Sequence, residues 1–202
     1  MITKKRKKRK RNFLKNNYIK SWEYIKESKN FIYATIIIFL FFVLIGFFIP
    51  APDIVEEQIL NFIKELIEKT SGMSKEELIK FIFLNNLQSS FLGMILGTFL
   101  GVFPIIMAIT NGYLLGFVAS MSVESGGGLI LLKLLPHGIF ELPAIFISFG
   151  LGLKLGTFIF QKKKLKSFKK YFWNSLRVFL LIVIPLLIIA GVIEGSFMVL
   201  SR

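Results

Sequence analysis

Apolar positions in this chain fall in long unbroken runs rather than in the alternating pattern of strands or the narrow stripe of soluble helices. Phe31 to Ile49 is a stretch of 19 residues without a charge. At about 1.5 Å per residue, such a helix covers the roughly 30 Å hydrocarbon core of a bilayer. It lies too far along the chain for a signal-peptide core, and no small-residue cleavage site follows it, so it is expected to be retained. Phe81 to Val123 is a charge-free run of 43 residues, about twice what one crossing needs. The turn chemistry of Thr110-Asn111-Gly112 inside it predicts a helical hairpin with its bend there. His137 to Phe160, carrying Glu141 and Lys154, and Trp173 to Ile193, with Pro185 inside, predict two further spans. The expected fold class is an all-α integral membrane protein with five transmembrane helices.

Two segments depart from simple spans. In 50–84, Val55, Ile59, Phe62, Ile63, Leu66 and Ile67 share one helical face, with Glu56, Glu57, Lys64, Glu65 and Glu68 elsewhere, which predicts an amphipathic helix. Gly72 ends it, and Ser74-Lys75-Glu76-Glu77 reads as a capping box that starts the next helix. The second departure is the third span. Counted from Gly112 to Val123 it has only 12 residues before Glu124, followed by Ser125, three glycines, an apolar run, Lys133 and Pro136. Non-helical backbone at membrane depth persists only where protein or water surrounds it, so a broken or re-entrant element is expected over Glu124 to Pro136. The alternative places that stretch at the outer surface.

Composition sharpens this reading. The chain is 54% hydrophobic, with 23 Phe, no Cys and a single His among 202 residues. A soluble or disordered protein is excluded by those figures, and thiolate metal sites, disulfides and cysteine catalysis by the absence of Cys. The net charge of +14 is distributed as a topology signal. Residues 1–30 hold twelve Lys/Arg against Glu23 and Glu27, and residues 161–177 hold seven against none. The 50–84 segment holds four Lys against seven acids. The expected organisation is therefore a basic cytoplasmic tail (1–30), a first transmembrane helix (31–49), an extracytoplasmic amphipathic segment (50–84), a membrane core (85–160), a basic cytoplasmic loop (161–172) and a last span with a short tail (173–202). The N-terminus is then cytoplasmic and the C-terminus outside. The basic run Lys4 to Arg11 has no interleaved aromatics, so anionic lipid is its expected partner rather than nucleic acid.

Gly93, Gly97 and Gly101 are spaced four apart, which predicts one close-packing stripe on the second span. Gly152 and Gly156 repeat the spacing on the fourth, making that helix a natural neighbour. The same pattern serves a homo-oligomer, a dimer being the simplest. His137 and Glu141 are four apart at the start of the fourth helix and can interact. With Glu124 and Glu194 at the same end, one His and three carboxylates could converge. An internal hydrogen bond or ion pair fixing the packing, a proton, ion or substrate path, and a metal-dependent hydrolytic site remain open. Lys154 is expected to snorkel to the inner interface.

The stretch from Asn85 to Gly156 is more distinctive. It holds Asn85-Asn86, the glycine stripe, Asn111-Gly112 with Gly116 four on, PHGIFELPAIFI from Pro136 to Ile147, and GLGLKLG from Gly150 to Gly156. Within it, Pro136-His137-Gly138, two residues, then Glu141-Leu142-Pro143-Ala144 is the most specific string. This pattern resembles the stage II sporulation protein M family, also called DUF95. Phe149 departs from the small residues expected in the family there, which argues against very close helix approach at that point. The resemblance implies a polytopic membrane protein without established catalysis, and a role like that of a membrane anchor for peptidoglycan-degrading proteins. Such relatives also occur where no spores form. The leading reading is thus a non-catalytic scaffold recruiting extracytoplasmic envelope proteins, with no cofactor or metal. A small-solute, ion or lipid transporter using the His/Glu pair is the alternative, and an intramembrane metal hydrolase a third.

Overall fold

The computed structural model describes the backbone of residues 2–127 and 135–200 and the side chains of residues 13–127 and 138–196. Over the described residues the chain is helical throughout: α1 (Ile2–Glu27), α2 (Lys29–Phe48), α3 (Asp53–Ser71), α4 (Lys75–Ile95), α5 (Val102–Gly126), α6 (Leu135–Gly156), α7 (Lys164–Val178) and α8 (Ile184–Leu200). Five segments are long and apolar enough to cross a membrane: Lys29–Phe48, Lys75–Thr98, Val102–Gly126, Gly138–Phe160 and Lys164–Ser196. Helix α6 is central, packing against α2, α4, α5 and α8. Its Ala144 and Leu151 join Met94, Val178, Val183 and Leu187 in the main apolar cluster. The basic helices α1 and α7 pack together, at the same end of the bundle as the α4–α5 turn and the C-terminus of α6. The opposite end carries α3 and the start of α4.

The hairpin is present, but its bend is not at Thr110–Gly112. The chain turns ten residues earlier, through a 3-10 turn at Leu96–Thr98 and then Leu100 (φ 59°) and Gly101 (φ 74°). Glycine adopts that left-handed backbone freely, whereas Leu100 bears a cost of about 1–2 kcal/mol. The Gly101 N–H donates to the Gly97 carbonyl at 2.8 Å. Pro104 then occupies the first turn of α5, where a missing N–H costs nothing. Asn111 stays helical, its Nδ2 donating to the Met107 carbonyl at 2.7 Å. The third span is therefore a full helix of 25 residues, not a short one. Its last residues, Glu124 to Gly126, precede the Gly127 cap (φ 76°). The remainder of the expected re-entrant element, 128–134, lies outside the described residues.

Other local signals read as follows. Helix α3 starts with Asp53 and Glu56 in its first turn, where negative charge meets the positive end of the helix dipole. The capping box forms: the Glu77 N–H donates to Ser74 Oγ at 3.3 Å, and the Ser74 N–H to Glu77 Oε2 at 2.8 Å. The basic loop is short, because α7 already begins at Lys164. It continues into α8 through a π-helical turn at Phe179–Val183, ahead of Pro185, whose ring and missing N–H disrupt the ladder at the preceding turn.

Candidate functional site

The ionisable residues singled out at the acidic end lie on three helices, α5, α6 and α8. Glu124 is exposed at the end of α5, while Glu141 on α6 and Glu194 on α8 are half-buried. His137 lies on α6, but its side chain falls outside the described residues, as does that of Pro136. Among the described residues no three His, Asp or Glu side chains gather as metal ligands would. Gly138 is half-buried and Pro143 is exposed within α6. Asn86 is buried, and Asn85 Nδ2 donates to its Oδ1 at 3.4 Å.

The glycines, in contrast, converge inside the chain. A Cβ on Gly97 would fall on the Gly152 carbonyl, and one on Gly156 would fall on the Gly97 carbonyl and the Gly101 nitrogen. Helices α4 and α6 thus meet backbone to backbone in parallel, as they must when two crossings run the same way. Gly93 differs from the expectation for Phe149: the buried Phe149 ring lies where a Gly93 side chain would be, so the large residue fits because its neighbour has none. Gly101 sits in the turn rather than on a helical stripe. A second parallel seam, between α2 and α5, is built by Gly46, Gly112 and Gly116, which abut the backbone at Tyr113, Phe39 and Val43 respectively. Gly112 and Gly116 at four-residue spacing, with Gly46 in an otherwise large-residue helix, were the available signal.

At the basic end the structure corrects the expectation for Lys154. It does not reach out to solvent but is buried, 7% exposed. Its Nζ donates to Ser28 Oγ at 3.1 Å, lies 3.7 Å from Glu27 Oε2, and stands 4.0 Å above the Tyr24 ring. Cation–ring and charge-assisted contacts together replace the water that burial removes. The node ties α1 to α6, and α7 joins through Tyr171, whose ring is 5.8 Å from Nζ. Burial raises the Tyr24 phenol above its ordinary range. Beside this node is a cleft of about 270 Å³ lined by Lys20, Glu23, Tyr24, Glu27, Lys170, Asn174 and Arg177.

Among the described residues, α3 stands apart from the closely packed helices. It makes at most glancing contact with the other helices. Ile54, Phe62 and Ile67 are 73%, 51% and 60% exposed, while Val55, Ile59 and Ile63 are half-buried and Glu56, Glu57, Glu65 and Glu68 are exposed.

The sequence model of the Stage II sporulation protein M family matches residues 35–197. The chain is 27% identical over 172 residues to an uncharacterized protein of Methanocaldococcus jannaschii, a match covering 82% of this chain and 76% of that protein. No solved structure matches.

Proposed function

Because the chain belongs to the stage II sporulation protein M family, we propose that it is a membrane scaffold that organises cell-envelope proteins without catalysing a reaction. The observation that carries this reading is α3, a 19-residue amphipathic helix that meets the other described helices only loosely, as where Lys69 lies over the Phe81 ring, and leaves apolar side chains exposed. Helices that lie on membranes are characteristically rich in Lys and Arg on the polar face. Helix α3 has Asp53, Glu56, Glu57, Glu65 and Glu68 against Lys64 and Lys69 only. An anionic bilayer surface repels that face, whereas a protein groove with apolar pockets and a basic rim accepts it, in the helix-in-groove manner.

The positive-inside pattern supports a cytoplasmic N-terminus and an extracytoplasmic α3. The glycine stripe is occupied within the chain, so any association of copies uses other surfaces. The two glycine seams hold the crossing helices together backbone to backbone. Replacing Phe62 and Ile67 with Asp removes apolar anchors at exposed positions. The expected result is an intact, membrane-inserted protein that no longer co-purifies with its envelope partner. Unaltered association would overturn the assignment to α3.

A further inference from the structure

The cleft between α1 and α7 is separate from the acidic end and from α3, and its chemistry points to a ligand. Three cations from two helices line it: Lys20 on α1, and Lys170 and Arg177 on α7. Of the two carboxylates present, Glu27 is drawn toward Lys154 Nζ, leaving Glu23 as the acid not engaged there. Arg177 is held in place, its guanidinium donating to Asn174 Oδ1. Asn174 in turn donates to the Lys170 carbonyl at 2.8 Å. A fixed guanidinium with two flexible ammonium groups beside it is a donor set suited to a tetrahedral oxyanion.

The depth of the cleft narrows the ligand further. Arg177 is the last charge before the charge-free run Val178 to Ile193, and Lys29 the last before Asn30 to Pro52. Arg177, Asn174 and Glu27 therefore stand within about one helical turn of the hydrocarbon boundary, at headgroup depth, and Lys20 and Lys170 lie about two to three turns out, on the aqueous side of that layer. Trp22 and Trp173, each more than half exposed, belong to the same two helices and are of the residue type that sits at that level. From this we infer that the α1–α7 cleft binds the phosphate of a membrane lipid headgroup. Lys20, Lys170 and Arg177 are its donors, and the Lys154 node serves to hold α1 against α7 and to occupy Glu27. This is a discrete site, distinct from diffuse attraction to the Lys4–Arg11 run.

The test uses the full-length protein, stripped of lipid in detergent and mixed with equal amounts of phosphatidylglycerol and phosphatidylcholine, with bound lipid counted by native mass spectrometry. The parent is expected to retain one phospholipid per chain. The Lys170→Gln/Arg177→Gln variant should lose about tenfold in retention, as expected for removal of two charge-assisted donors. Lys162→Gln/Lys163→Gln, which removes the same charge from the exposed connection, should stay close to the parent. Equal losses in both variants would reduce the effect to net charge and overturn the site. Lys20→Gln, at an exposed position unable to unfold the bundle, should weaken retention on its own, and full retention there would also overturn it. Addition of millimolar inorganic phosphate separates the two phosphate sources: lipid that stays bound supports the headgroup, and lipid that is displaced assigns the cleft to free phosphate instead.

Discussion

Gly97→Ala is the smallest change that probes how the bundle is held together. In the native packing the nearest neighbours of a Cβ at position 97 are the carbonyl oxygen, carbonyl carbon and Cα of Gly152. Those atoms are main chain, so no rotamer change relieves the overlap, and α4 and α6 must separate. Overpacking a well-filled interior costs about 1–3 kcal/mol. Alanine's helical advantage over glycine returns at most about 1 kcal/mol, and less here because Gly97 lies in a 3-10 turn. A net loss of about 1–2 kcal/mol lowers the unfolding midpoint of a chain this size by roughly 2–8 °C. The assay is thermal unfolding in detergent, followed by circular dichroism and by retention of the monodisperse peak. Gly72→Ala is the matched control, since no atom lies within 4 Å of its Cβ and its φ is negative. A Gly97→Ala protein as stable as the parent would show that α4 and α6 do not meet at this seam.

Other expectations follow from the same packing. Glu27→Gln and Lys154→Met should be non-additive in stability by about 0.5–1 kcal/mol in a double-mutant cycle, reduced because the Glu27 side chain is 60% exposed; strict additivity would mean the ion pair contributes nothing. Ser74→Ala should cost about 1 kcal/mol through loss of the α4 cap, read by chemical denaturation, while Ser71→Ala, outside the box, should change little. The Tyr24 phenol is raised by burial, so the folded state keeps its proton where the unfolded chain releases it. That stabilisation is complete below about pH 10 and declines above it; Tyr24→Phe should flatten the alkaline limb, and an unchanged limb would assign it to other groups. Reporters at residue 165 and after Arg202 should fall on opposite sides of the membrane, the first in the cytoplasm.

What was readable in the sequence depended on whether the cause was local. Five crossings followed from long runs with few or no charges, because hydrocarbon imposes one length and one solvent on every span. Ser74 and Glu77 announced their box, since both partners lie within four residues. Thr110-Asn111-Gly112 misled because the glycine there answers a tertiary need, the approach of Phe39's backbone, which outweighs its turn propensity. Pro104, suited to a first helical turn, was the cue to the true bend. Lys154 was misjudged for a similar reason: its hydroxyl partner Ser28 is 126 residues away in sequence. Only the presence of a cation inside an apolar helix hinted that it had to be paired. Phe149 likewise looked too large until Gly93 supplied its space.

The central claim is that α3 docks on an envelope protein, and photo-cross-linking in living cells tests it most directly. A photoreactive amino acid at Phe62 or Ile67 on the apolar side, and at Glu57 or Glu68 on the acidic side, samples the helix all round. The account expects a single discrete adduct with an envelope protein from positions 62 and 67, weak or absent from 57 and 68, and abolished at position 67 by Phe62→Asp. Adducts to lipid alone from positions 62 and 67 would contradict it and make α3 a membrane-lying helix.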